Sequence, residues 1–405
     1  VEANCLVNIL FLTLASMEDI YQRGIYPDLI RAIADKGYNV YVVAPRQRRS
    51  GLPTAVSTYG NIHVLKVMTG NITKVGLVEK GLTTLKIESN YEDAIKEHFN
   101  DVKFDLIVYS TPPITFERVV RHLKKKHNAK TYLILKDIFP QNAVDIGLMR
   151  NKGLMWRYFR RRERTLYQLS DIIGCMSPAN MNYVLKHNPD ISKDKVEIFP
   201  NSIKPISRFV RRKNSALLSK YNIPENTTLF VYGGNLGKPQ GIDFLIEVID
   251  NFHQVDNSFL MIVGSGTEYT KIEKHILSTQ PVNVALHNYL PKDEYDELLR
   301  SADVGLIFLD PRFTIPNFPS RLTAYMESSI PIIAATDVNT DLKDVLIESE
   351  SGFWSVSGDL DSFLNNARRL AQDQELRLKM GLNGRIYLEE HYDVTKTVEI
   401  LLKHL

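Results

Sequence analysis

Short apolar runs alternate with amphipathic stretches along almost the whole chain. In the first half, "VNILFLTL" (7–14), "NVYVVAP" (39–45), "FDLIVYST" (104–111), "KTYLILKDIF" (130–139), "DIIGCMS" (171–177) and "KVEIFP" (195–200) read as buried strands. Between them lie helical periodicities: "PDLIRAIADKG", closed by Gly37 as a C-cap, then 89–99, a basic stretch 114–127, 153–169 and 178–187. The Gly- and Thr-rich stretch 51–84 reads as an excursion. "PNSIKP" (200–205) has linker composition, and the pattern then restarts with "TLFVYGG" (228–234), "FLMIVGS" (259–265), "VNVALHN" (282–288), "VGLIFLD" (304–310) and "PIIAAT" (331–336). Helices such as "GIDFLIEVIDNFHQ" and "PKDEYDELLRSA" lie between these strands.

Apolar strands alternating with amphipathic helices specify an α/β fold with parallel sheets covered on both faces. The expected organisation is two Rossmann-like domains, 1–200 and 201–380, followed by helices in 381–405 that return to the first domain. Open α/β sheets bind ligands at the carboxyl ends of their strands, so the expected site is a central cleft faced by both sheets.

Composition narrows the partners. With 405 residues, 24% charged and a net charge of +3, the chain has no whole-molecule field for nucleic acid. Its basic residues are bunched, however, at 121–127, 157–164 and 208–213, either as solvated faces or as patches for anionic surfaces. Cys5 and Cys175, far apart in sequence, fit a reducing compartment. No apolar run reaches the roughly 18 residues of a membrane span, and the start lacks the pattern of a signal peptide. A cytoplasmic location is therefore expected.

Several loops read either as phosphate sites or as ordinary tight turns and helix starts with a solvated lysine or arginine. In "YGGNLGKPQGIDFLIEV" (232–248) a buried strand ends in grouped glycines that open a helix. Gly233, Gly234 and Gly237 allow the backbone to approach a phosphate, and Lys238 supplies a point charge. In "PNFPSRLTAYMESSIPIIAAT" (316–336), Pro319 and Ser320 stand at a helix start, with Ser320 as a candidate cap. Arg321, in the first turn, adds a fork of charged donors. "VGSGTE" (263–268), with Gly264, lacks the third glycine of a dinucleotide fingerprint and reads as a turn near a base or ribose. The loop of "HNYLPKDEYDELL", Leu290 included, opens on the same side or simply precedes a capped helix.

In "LKDIFPQNAVDIG" (135–147), Asp137 and the pair Gln141/Asn142 follow a strand end. A carboxylate there either serves the reacting centre or caps a turn. No His/Cys ligand cluster is evident, and Asp359 and Asp361 of "GDLDSF" read as helix caps. The helix "KGLMWRYFRRRERTLYQLS" (152–170) places Met155, Phe159, Leu166 and Leu169 on a face expected to meet the sheet. Trp156 and Tyr158 are interleaved with Arg157, Arg160, Arg161 and Arg164. That mixture suits an anionic membrane surface or a diphosphate-bearing acceptor; equally, Glu163 and distant acids neutralise it.

Four segments, "LKDIFPQNAVDIG", "YGGNLGKPQG", "VGSGTE" with "LLRSADVGLI", and "FPSRLTAYMESSIPIIAA", resemble family 4 retaining glycosyltransferases of GT-B fold. Within that family the chain is most similar to enzymes of bacterial capsule and O-antigen assembly. It departs from the family pattern where two glutamates eight positions apart are replaced by Pro316 and Ala324. Asn235 and Gln240 stand where the family has Arg and Lys, while "P-S-R" (319–321) resembles the subgroup's "P-S-K".

The resemblance implies sugar transfer with retention from a nucleotide-sugar donor, UDP-linked by analogy, without a metal or other cofactor. The implied acceptor is a lipid-diphosphate-linked saccharide on the inner face of the cytoplasmic membrane. Lys238 and Arg321 become the diphosphate pair and Asp137 the carboxylate near the sugar; Glu327, one helical turn after Ala324, is read as a ribose ligand from its position and not from the family pattern. Two other outcomes stand beside this one: an epimerase of the same fold, or a scaffold subunit without catalysis.

Overall fold

The computed structural model describes residues 7–71, 77–207 and 212–405, except the side chains of 77–85. Cys5 and most of the basic run 208–213 lie outside the described residues. The chain divides into two units, one comprising the chain up to Lys204 together with Asp393–Leu405, the other Pro205–Tyr392.

The first unit holds eight strands: Asn8–Leu12 (β1), Asn39–Gln47 (β2), Ala55–Tyr59 (β3), Ile62–Thr69 (β4), Leu106–Ser110 (β5), Lys130–Leu135 (β6), Ile172–Cys175 (β7) and Val196–Ile198 (β8). Their order is β3-β4-β2-β1-β5-β6-β7-β8. All neighbours are parallel except β3 with β4, a hairpin built in the segment read from sequence as an excursion. The core packs Ile9, Phe11, Ile33, Val40 and Val108 against Val394, Val398 and Leu401 of the helix Val394–Leu402.

Strands Thr228–Asn235 (β9), Ser258–Ser265 (β10), Val284–His287 (β11), Val304–Phe308 (β12), Ile332–Thr336 (β13) and Gly352–Val356 (β14) form the second unit's sheet. It is parallel throughout, in the order β11-β10-β9-β12-β13-β14. An aromatic core of Phe230, Tyr232, Phe244, Phe252, Phe308 and Phe363 lies under its helices.

The expected borders at 200/201 and 380/381 differ from those of the two units. The helix Gln374–His391 stays in the second unit, because Gly381 and Gly384 let it lie directly on the turn at Ser329 and on Met326. Only the following helix belongs to the first unit. There Val394 N–H donates to Ile203 O at 2.9 Å, and Ile203 and Asp393 form a parallel bridge. Cys175 is a buried free thiol.

Candidate active site

In the second unit the strand order reverses between β9 and β12, the kind of switch point at which doubly wound sheets bind ligands. The two strands pair only through Phe230 with Val304 and Val231 with Gly305, and then part. β9 runs on into Gly233, Gly234 and Asn235. Gly234 has a φ of +137°, a left-handed-side conformation that favours glycine, and a Cβ there would lie 3.1 Å from Arg321 Nη2.

Arg321 opens the helix Arg321–Glu327. Its guanidinium carbon stands 4.4 Å from the centre of the Tyr232 ring, and Nη2 donates to Gln240 Oε1 at 2.9 Å. Nη1 is buried and has no hydrogen-bond partner among the described residues. Among the described residues no carboxylate forms an ion pair with it either. Burial opposes the charge, but Tyr232 and Tyr325 outweigh it and hold the pKa above the usual arginine value. Burying a guanidinium with one N–H group unpaired is costly, and an anion placed there would offset that cost.

Lys238 lies exposed in the short turn Lys238–Gln240, which runs through Gly241 into the helix Ile242–Asn251. That helix has no side-chain N-cap, which leaves first-turn N–H groups available. Exposed Asn235 fills the space above Gly237 and Gly266, where an added Cβ would lie 2.9 and 2.8 Å from its carboxamide. Gly264 is buried beside the Gly234 carbonyl, so its smallness serves the close approach of β9 and β10. Leu290 is half-buried just ahead of the helix Lys292–Ser301.

Two expectations about this unit change. Ser320 makes no side-chain cap, because its own backbone is already helical; its carbonyl instead accepts from Thr323 Oγ1 at 2.9 Å. Glu327 is buried, and its Oε1 accepts from Ile206 N at 2.9 Å. Arg385 closes the same corner through the carbonyls of Glu327 and Ile206. The carboxylate thus ties down the segment that enters the unit.

Asp137 belongs to the first unit, just past β6. Burial pushes its pKa up to about 6, against a 2.7 Å hydrogen bond from Asn142 Nδ2. Thr111 Oγ1, past the end of β5, accepts from the amides of Lys136 at 3.0 Å and Asp137 at 3.3 Å and so fixes this turn. Gln141 is engaged with Asp145 instead. Sequence reading passed over Lys136, although "LKDIF" marks it as a lysine at a buried strand end. Its ammonium donates to Asn201 Oδ1 at 2.5 Å, and burial pushes its pKa down to about 7.

The helix Leu154–Leu169 buries Glu163, Leu166 and Tyr167. Met155, expected to face the sheet, is 64% exposed, beside Leu154 at 85% and Tyr158 at 45%. Arg160 is not a surface cation: it pairs with Glu163 at 2.6 Å and donates to His187 O and Asn188 Oδ1. Arg162 and Arg164 pair with Glu117 and Asp190. Arg157 and Arg161 remain exposed, without an ion pair among the described residues. Trp156 is half-buried, with its indole N–H enclosed.

Among the described residues no three His, Cys, Asp or Glu side chains converge on a metal-sized site. Asp359 caps its helix by accepting from Ser362 N at 3.0 Å.

Two doubly wound units, one with a phosphate-type turn and buried arginine at its switch point, define the GT-B class of glycosyltransferase folds. Residues 214–387 match the model of the glycosyl transferases group 1 family. Over 260 residues the chain is 24% identical to the probable glycosyltransferase WbjE of Pseudomonas aeruginosa, covering 62% of each chain. It is 25% identical to the putative colanic acid biosynthesis glycosyl transferase WcaI of Escherichia coli, covering 59% of each. The alignments thus span about three fifths of these curated relatives. Among solved structures, sucrose-phosphate synthase from Thermosynechococcus elongatus has the same fold, with a TM-score of 0.76, 16% identity and 98% coverage of both chains. HepE of Anabaena, solved in complex with UDP, gives 0.65 at 13% identity, covering 98% of this chain and 99% of its own.

Proposed function

We propose that the protein transfers a sugar from a nucleotide-sugar donor to a growing cell-surface polysaccharide or lipopolysaccharide. The observation that carries this reading is Arg321, a buried guanidinium with an unpartnered Nη1 beside the glycine turn at a switch point. The UDP bound by HepE and the colanic acid role in the name of WcaI support a uridine donor and a polysaccharide product.

As the sugar–diphosphate bond breaks, negative charge grows on the leaving diphosphate. Arg321 and Lys238 neutralise it, helped by N–H groups of the turn, and no metal is assigned. Gly234, Gly237, Asn235 and Gln240 shape that pocket, and Leu290 approaches the base. Asp137 serves the reacting sugar as an ionised carboxylate, and transfer proceeds with retention. The acceptor is carried on a lipid diphosphate. Leu154, Met155, Tyr158, Arg157 and Arg161 seat the helix start on the anionic inner face of the cytoplasmic membrane.

A thermal-unfolding panel of UDP, GDP and their sugar conjugates tests the reading. A ligand at 100 times its dissociation constant stabilises by about 2.7 kcal/mol. One nucleoside diphosphate should stand out, and Arg321→Ala should shrink its effect. A wild-type protein indifferent to all of them would overturn the proposal.

A further inference from the structure

The hydroxyl of Tyr325 occupies a place where a sheet hydrogen bond would otherwise run. β9 and β12 stop pairing at Val231 and Gly305. Past that point Gly233 N–H donates to Tyr325 Oη at 3.2 Å. The same hydroxyl reaches Leu306 O at 3.1 Å and Val231 O at 3.3 Å and donates to one of them. A phenol therefore bridges the two strands at the point where they separate.

Missing side chains make the room. A Cβ on Gly305 would lie 2.5 Å from the Tyr325 ring, and one on Gly233 would lie 1.9 Å from Tyr295 Oη. Tyr295 comes from the helix Lys292–Ser301, and Tyr325 stands one helical turn after Arg321. With Tyr232 against the guanidinium, three tyrosines enclose the arginine and its glycine turn. Burial pushes the Tyr295 and Tyr325 phenols above the ordinary range, so both remain protonated donors. Plain core filling would need neither a hydroxyl between strands nor a glycine facing each ring.

We propose that Tyr325, supported by Tyr295, is a positioning residue that holds the switch point open and fixes Gly233 and Gly234 against Arg321 for a nucleoside diphosphate. The inference rests on the functional reading above. Its test is a UDP titration of the intact chain as wild type, Tyr325→Phe, Tyr295→Phe, Arg321→Ala and the Tyr325→Phe/Arg321→Ala double variant. Phenylalanine keeps the ring and strands the Gly233 N–H, so the UDP dissociation constant should rise about tenfold. If the hydroxyl acts through the arginine, its removal should matter less than about twofold in the Arg321→Ala background. A general loss of stability would not produce that coupling. Unchanged affinity in Tyr325→Phe, or the same loss in both backgrounds, overturns the inference. Should Tyr325→Phe fail to fold, Tyr295→Phe decides: a threefold or greater loss of affinity supports the brace, and wild-type affinity overturns it. Wild-type protein that binds neither UDP nor GDP would instead overturn the functional reading, and the brace with it.

Discussion

At the scale of single residues, charge placed in a buried setting decides what each group does. Arg321→Ala and Lys238→Ala should each lower turnover about 10²–10³-fold, the usual cost of removing one donor from a developing anion. Both should keep the wild-type unfolding profile; steady-state kinetics at saturating donor checks the first point and circular dichroism the second. Asp137 gives a pH signature. Its folded pKa of about 6 lies above the ordinary 3.8, so it adds stability below about pH 4 that is lost as pH rises through 6. Asp137→Asn removes that term. The variant's melting temperature relative to wild type should therefore climb between pH 4 and 6 and level off above 7, while wild-type turnover rises as the carboxylate ionises. A constant gap across that range would take ionisation of Asp137 out of the account. Arg321 and Lys238 were legible in the sequence because each sits within a few positions of the glycine or proline that starts its helix. Glu327 was not, because its partner, Ile206, lies 121 positions away and no periodicity reports such a contact. The tyrosines around Arg321 escaped for the same reason, since Tyr325 and Gly233 are 92 positions apart.

At the scale of elements, most buried parallel strands stood out because burial on both faces makes them uniformly apolar. Ile62–Thr69 did not, although largely buried, because His63, Lys66 and Thr69 interrupt its apolar run. The edge strands were missed in part. Ala55–Tyr59 alternates half-buried with exposed side chains at the sheet edge, and so blends into a polar loop. Gly352–Val356 is likewise an edge strand, opening with a glycine that lies against Ile332 O. The interior meeting of β12 with the helix Arg321–Glu327 is tight enough to test by one methyl group. In Gly305→Ala the new carbon meets the Tyr325 ring at 2.5 Å. Overpacking of this kind costs about 1–3 kcal/mol. The urea midpoint should fall accordingly with an unchanged m-value, and UDP affinity should fall as well. A variant as stable as wild type would mean that the ring moves aside freely.

At the scale of the whole molecule, the surface at the start of the helix Leu154–Leu169 separates two kinds of arginine. Exposed Arg157 and Arg161 should each add about 1 kcal/mol of attraction to anionic lipid at low salt. Replacing both with alanine should weaken flotation on anionic vesicles about thirtyfold. Arg160→Ala should instead lower the melting temperature, because it strands buried Glu163. Wild-type protein that floats equally on neutral and anionic vesicles, or on neither, would remove this face from the membrane account. Two α/β units were readable from the restart of the strand pattern after 205. The path of the last helices was not, because amphipathic periodicity names a buried face without naming its partner. That path has a consequence for synthesis. The helix Val394–Leu402 completes the first unit's core, yet the ribosome makes it only after the whole of Pro205–Tyr392. Those 188 residues (392 − 205 + 1) take about 10–40 s to translate. Throughout that interval the nascent first unit presents the apolar seat around Ile9, Ile33 and Val40 to any chaperone nearby, while the second unit emerges with its own core already complete in sequence.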